Sequence, residues 1–183
     1  MEYFDVLNKD GEFTGKIETR EKCHKEGLWH RAVYVFIFNK NGDVLLQKRN
    51  SNKKLWPNLW DVTAGGHVLS GEFGRQALAR EIKEELGLNI DENELKYLVG
   101  SKSTNIKGDI LDNVFNECYI FTKDIDISKI SMQEEEVSDI KWFTRDEILN
   151  RIENNYDGLT LKMGVWNFLK KYYEVYGDKY EKV

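Results

Sequence analysis

The stretch GGHVLSGEFGRQALAREIKEELGL, residues 65–88, carries four glutamates and no aspartate. Three of them, Glu81, Glu84 and Glu85, follow Arg80 within a helical pattern that starts at Ser70 or Gly71 and ends at Gly87, a glycine suited to cap a helix C-terminus. At roughly 100° per residue these three carboxylates share one arc of about 100°, and Leu78, Ile82 and Leu86 form the adjacent apolar stripe. Like charges three and four residues apart destabilise a helix. Lys83 points elsewhere by rotation, so Arg80 is the nearby compensating cation. Two readings stand: a solvated acidic face, or a site where a hard divalent cation turns repulsion into binding.

On either side of this helix the chain reads as short strands. YFDVLNKDGEFTG has the pattern of strand, turn at Lys9-Asp10-Gly11 and second strand. RAVYVFIFNKNGDVLLQKR is the clearest hairpin, with an apolar run Ala32–Phe38, a turn at Asn39–Gly42 and a return strand Val44–Gln47. Further strands are predicted near Leu95–Val99, Asn116–Phe121 and Ile140–Phe143. A last helix is predicted over Leu159–Tyr176, with Leu161, Val165, Phe168, Leu169, Tyr172 and Tyr173 as its core stripe. Strands around one early helix and a closing helix make a mixed α/β domain spanning residues 1–183.

The length of 183 residues suits one domain with a real core. A net charge of −5 disfavours nucleic acid and anionic membrane surfaces as partners. No leader pattern or membrane-length apolar run is present, which points to the cytoplasm. Cys23 and Cys118 lack CxxC spacing, so neither a zinc knuckle nor a disulfide framework is indicated.

Written out, the stretch is Gly66, five residues, Glu72, seven residues, Arg80-Glu81-Ile82, one residue, Glu84-Glu85, one residue, Gly87-Leu88. It resembles the Nudix box, GX5EX7REUXEEXGU with U apolar, at every specified position. That resemblance implies an α/β/α sandwich with a mixed β-sheet. It also implies a hydrolase that uses Mg²⁺ or Mn²⁺ on a small-molecule diphosphate, and homodimers are common in the family. By the same resemblance Glu81, Glu84 and Glu85 would be catalytic metal ligands, with the carbonyl of Gly65 completing the shell. Gly66, Glu72, Arg80 and Gly87 would be structural, Arg80 pairing with Glu72. Some relatives take a general base from a later segment, for which Glu117, Glu134, Glu135 and Glu136 are candidates.

Residues 2–145 also resemble one branch of that family, the isopentenyl-diphosphate isomerases and their hydrolase-like cousins, through GLWHRAVYVFIFN, LLQKRNSNKKLWPNLWD and AGGHVLSGE. In that comparison His24, His30 and His67 fall near the isomerase's metal-binding histidines, and Glu117 aligns with one of its glutamates. The implied second metal site is therefore His24, His30, His67 and Glu117. Three departures count against isomerisation. The catalytic cysteine position is Gly65, the second metal-binding glutamate falls at Phe115, and the His24–His30 spacing is one residue shorter. Isomerisation moves protons at carbon on both faces of an allylic system, and glycine has no group for either face. Hydrolysis is favoured, with isomerisation and a non-catalytic diphosphate or nucleotide sensor as alternatives.

Lys48, Arg49, Lys53 and Lys54 form the strongest local basic cluster. Arg49 and Lys53 match isomerase positions that hold the diphosphate, and Arg20 is a further candidate contact. Guanidinium offers a planar fork to phosphate, ammonium a mobile point charge. Trp29, Trp56 and Trp60 lie around this cluster and could pack or stack on a base. The segment 101–115 is expected to be a loop that sets specificity.

Overall fold

The computed structural model describes residues 1–177. A nine-residue strand, β3 (His30–Phe38), is its centre, and Ala32–Phe38 are all buried. An apolar run without in–out alternation needs cover on both faces of its sheet. It pairs in parallel with β8 (Ile110–Thr122), from His30 opposite Val114 to Phe38 opposite Thr122. Its other edge is shared by β6 (Ala64–His67), facing residues 32–35, and β4 (Val44–Arg49), facing Ile37 and Phe38. β5 (Trp60–Asp61) and β9 (Val137–Phe143) flank β4, and β7 (Lys96–Lys107) closes the far edge against β8.

Helix α2 (Gly74–Leu86) covers one face, packing Ala77, Leu78, Ile82 and Leu86 on Val33, Val35, Ile37 and Leu45. Helices α3 (Arg145–Glu153) and α4 (Met163–Tyr176) cover the other, with Trp166, Leu169 and Tyr173 against Phe36, Phe38 and Leu46. The α/β/α sandwich with a mixed sheet is thus the observed architecture. Ile82 is fully buried, so Ile82→Ala is expected to remove about 2–5 kcal/mol of stability. A separate hairpin, β1 (Tyr3–Leu7) and β2 (Phe13–Thr19), leads into α1 (Arg20–Glu26). Thr19 caps α1, and Gly27 ends it at φ 65, where a Cβ would collide with Leu111. These two caps fix His24 on the inner side of the helix.

Three sequence expectations change. Helix α2 begins at Gly74, because Gly71 turns the chain at φ 82 and the Phe73 amide donates to Gln76 Oε1 at the helix entrance. The last helix begins at Met163. Leu159 and Thr160 pair instead with Trp60, and Leu161 is exposed. Residues 101–115 are not a loop: they form most of the long β7–β8 hairpin. α3 escaped the sequence reading; it is a short helix behind a Thr144–Glu147 capping box.

Candidate functional site

β6 and α2 bring the box residues together. Gly66 faces the Glu81 carboxylate so closely that a Cβ would overlap it. Gly65 needs the same bareness, since a Cβ there would lie 2.6 Å from Tyr34 Cδ1. Arg80 forks onto Glu72 at 2.9 and 3.0 Å and donates to the His67 carbonyl at 3.0 Å. Its remaining reach spans Glu81 at 2.7 Å and Glu84 at 3.2 Å. Arg80 therefore ties loop to helix and also screens two of the clustered carboxylates. Glu72 closes the turn by accepting from the Leu69 amide, and Gly87 ends α2 at φ 67.

Glu85 is the buried member of the trio. The Gly65 amide at 3.2 Å and Gln47 Nε2 at 3.1 Å both donate to its Oε2. Burial, aided by the charge of Glu81, pushes its carboxyl up to about 8. Burial also raises Glu81, against the pull of Arg80. Two half-buried or buried acids and an exposed third on one helix arc supply hard oxygen donors at a point where ionisation otherwise costs energy. That fits a divalent cation.

A second cluster lies on the opposite side of β6. His24, His30, His67 and Asp112 each present a ligand atom, all within 4.8 Å of one another. The Nε2 atoms of His30, His24 and His67 approach Asp112 Oδ1 to 3.2, 3.5 and 3.6 Å. His24 Nε2, His30 Nε2 and Asp112 Oδ1 nevertheless lack hydrogen-bond partners, although all are buried. Four ligand atoms this close together can hold one metal ion between them. Outer contacts set this up: His30 Nδ1–H donates to the Leu28 carbonyl at 2.8 Å, which leaves Nε2 with its lone pair, and Asn105 donates to Asp112 Oδ2 at 3.2 Å. Phe4 stacks on His30 and His67, with centroids at 4.8 and 4.9 Å. Burial, then the charge of His67, lowers His24 to about 4. Burial opposes ionisation of Asp112, yet the facing imidazoles hold it below the ordinary carboxylate range.

Glu117 is not part of this cluster, contrary to the sequence expectation. Asp112 and Glu117 differ by an odd number of positions along β8, so their side chains leave opposite faces of the sheet. Glu117 instead abuts Gly74 at the start of α2, accepts from the Tyr119 hydroxyl at 2.6 Å and lies 3.9 Å from Arg31. Phe115 packs on Trp29. Asp112 was missed because only the β3–β8 register places it beside the histidines.

The basic residues are dispersed. Arg49 binds buried Asp61 at 3.1 Å and the Leu55 carbonyl at 3.0 Å, while Lys53 pairs with Glu136. Burial lowers His67 as it does His24, and Arg20, paired with Glu2 at 2.8 Å near the histidines, adds to both shifts by its charge. Trp29 and Trp60 pack on Phe115 and Phe143, and Trp56 faces Lys162. The carbonyl of Glu134 anchors Asn50, and Gln133 binds the Glu85 carbonyl. Cys23 and Cys118 are buried thiols raised by desolvation to about 11 and 12, and both are unpaired.

Residues 28–162 match the NUDIX domain family model. The chain belongs to the Nudix family. It is 38% identical over 148 residues to an uncharacterized Nudix hydrolase of Listeria innocua, covering 81% of this chain and 83% of that one. The match supports its assignment as a hydrolase. The crystal structure of the DR0079 protein of Deinococcus radiodurans superposes with a TM-score of 0.71 at 24% identity, covering 91% of this chain and 98% of that one. A bifunctional NMN adenylyltransferase/ADP ribose pyrophosphatase of Francisella tularensis, solved with AMP and a manganese ion, shares the Nudix fold at a TM-score of 0.56 and 18% identity, covering 79% of this chain and 41% of that one. No described helix is long and apolar enough to cross a membrane.

Proposed function

We propose that this Nudix hydrolase cleaves a phosphoanhydride bond in a small-molecule diphosphate, of the kind found in nucleoside diphosphate derivatives, with Mg²⁺ or Mn²⁺. The observation that carries this reading is the placing of Glu81 and Glu85 against the bare backbone at Gly65-Gly66, with Glu84 held beside them by Arg80. Those three carboxylates and the Gly65 carbonyl would hold the ion, which supplies charge neutralisation of the phosphate oxygens and a more acidic water. Glu81, which Arg80 holds at 2.7 Å, is the member we assign to accept the proton of that water. In the net reaction one P–O bond of the anhydride breaks, and water oxygen bonds to phosphorus. One water proton passes to the base and the departing phosphate leaves as an anion. Arg80 orients Glu81 throughout, and Arg49, beside Asp61, and Lys53, beside Glu136, would supply positive charge to the diphosphate. The Francisella neighbour, named for ADP ribose pyrophosphatase activity and solved with manganese, supports the substrate class and the metal.

The cluster of His24, His30, His67 and Asp112 would hold a second, borderline divalent ion through three nitrogens and one oxygen. Its buried donors without partners support this. Isomerisation of isopentenyl diphosphate stays the weaker reading, because Gly65 stands where that chemistry needs a thiol.

The test is Mn²⁺-dependent turnover across nucleoside diphosphates, dinucleotides, nucleotide sugars and isopentenyl diphosphate, beside Glu84→Gln. Removing one metal ligand is expected to cost about 100-fold or more in kcat. Rearranged isopentenyl diphosphate with no phosphate release would overturn hydrolysis. Silence on every substrate would favour a sensor.

A further inference from the structure

Lys162 stands outside the box and its flanking strands, yet it is tied to Asp61 and Arg49 beside them. Its Nζ donates to Asp61 Oδ2 at 2.8 Å, and its side chain is 13% exposed. Arg49 already binds that same oxygen at 3.1 Å, while Thr160 Oγ1 at 3.2 Å and the Val62 amide serve Asp61 Oδ1. Two cations thus share one carboxylate that is 1% exposed. One positive charge is in excess in a poorly solvated place, where an anion lowers the energy most.

Local structure around Lys162 runs against ordinary preference in two independent ways. The residue occupies the N-cap of the 14-residue helix α4, where serine, threonine or aspartate is favoured and where a cation opposes the positive end of the helix dipole. It is held there because Leu159 and Thr160 pair with Trp60, which fixes the approach to the helix. Opposite it, Trp56 has a φ of 49, a left-handed conformation that a bulky side chain rarely adopts. The ammonium lies 5.8 Å from the Trp56 ring and 4.3 Å from the Tyr34 ring. The Tyr34 ring in turn borders Gly65, whose amide binds Glu85, and Lys162 and Glu85 interact electrostatically. The ammonium thus reaches the Gly65 backbone through the Tyr34 ring, and Gly65 in turn binds Glu85.

We propose that Lys162 is a substrate-binding residue that takes the phosphoryl oxygens on the side away from Glu81, Glu84 and Glu85, with Arg49 beside it and Tyr34 and Trp56 as walls. This deepens the diphosphate reading and rests on it for the identity of the anion. Asp61 holds the ammonium in place, and the incoming anion takes donors that Asp61 does not use. Ammonium has three N–H donors, of which the bond to Asp61 uses one, so two remain for the anion.

The test is calorimetric titration of inorganic diphosphate, with Mn²⁺ present, into the full chain as wild type, Lys162→Gln, Lys162→Met and Lys162→Arg. Mn²⁺ affinity is read separately by electron paramagnetic resonance, and folding by thermal melting. The Gln and Met variants are expected to bind Mn²⁺ like wild type and diphosphate at least about tenfold more weakly, with Arg restoring most of the loss. Diphosphate affinity unchanged in a folded Gln variant would overturn the assignment. So would loss of the fold in both the Gln and the Met variant, which makes Lys162 a scaffold residue, or a wild type that binds no diphosphate. Lys162-dependent binding in a protein whose turnover survives Glu84→Gln would sink the hydrolytic mechanism and leave this site standing.

Discussion

Glu85→Gln separates the needs of the fold from those of the metal. In the metal-free protein the carboxyl of Glu85 titrates near 8 instead of 4.5, because it is buried against Gly65 and Gln47 with Glu81 close by. A raised carboxyl favours the folded state below the unfolded value, and that advantage is lost as pH climbs through the folded value. Between about 4.5 and 8 the wild type therefore loses stability relative to a neutral isostere. Held protonated at pH 7, the group costs about 3 kcal/mol, against under about 1 kcal/mol at pH 5. Glutamine keeps an acceptor for both donors and has no charge to suppress. In a chelator the variant should melt about 5–10 °C above wild type at pH 7, and the two should converge at pH 5. Added Mn²⁺ should reverse the order, raising wild type and leaving the variant nearly unmoved. Calorimetric melts at the two pH values, with and without Mn²⁺, measure all of this. A variant no more stable than wild type at pH 7 in chelator refutes the assignment of Glu85 as a buried, ionisation-penalised ligand.

Other outcomes follow from the same geometry. Gly66→Ala places a methyl on the Glu81 carboxylate, so Mn²⁺ affinity should fall about 10-fold or more while the protein stays folded, as resonance titration and melting will show. Asp112→Asn removes the only anionic donor of the histidine cluster. Metal content at that site, measured by elemental analysis after dialysis against zinc, should drop by about one equivalent per chain. His24, lowered to about 4, is neutral in the fold but charged in the unfolded chain below about 6.5, so stability is lost as pH falls from 6.5 towards 4. His24→Gln should flatten that part of the chelator stability curve, and denaturant melts at half-unit pH steps check it.

The box was legible because all its information is local. Helical spacing puts Glu81, Glu84 and Glu85 on one arc, and Gly66 and Gly87 mark backbone that admits no side chain. Asp112 and Lys162 were not legible, since each joins its site through a pairing between distant segments. Asp112 depends on His30 facing Val114 across parallel strands, and a shift of one residue would send it to the other face. Lys162 depends on the bridge between Trp60 and Leu159, in a segment whose apolar pattern looked helical. The reading of 101–115 as a loop failed because its polar residues alternate on an exposed hairpin, and polarity alone suggested irregular chain.

β6 is only four residues long, yet each of its last three has a separate obligation. The Gly65 amide faces Glu85, Gly66 lies flush against Glu81, and His67 sends its carbonyl to Arg80 and its ring to the other cluster. Neighbours along a strand point to opposite faces, so a single backbone thickness divides the carboxylate site from the imidazole site. Inserting or deleting one residue here would exchange those faces and dismantle both sites in one step. Evolution can therefore retune this enzyme by substitution in the surrounding walls, while the length of this segment is locked.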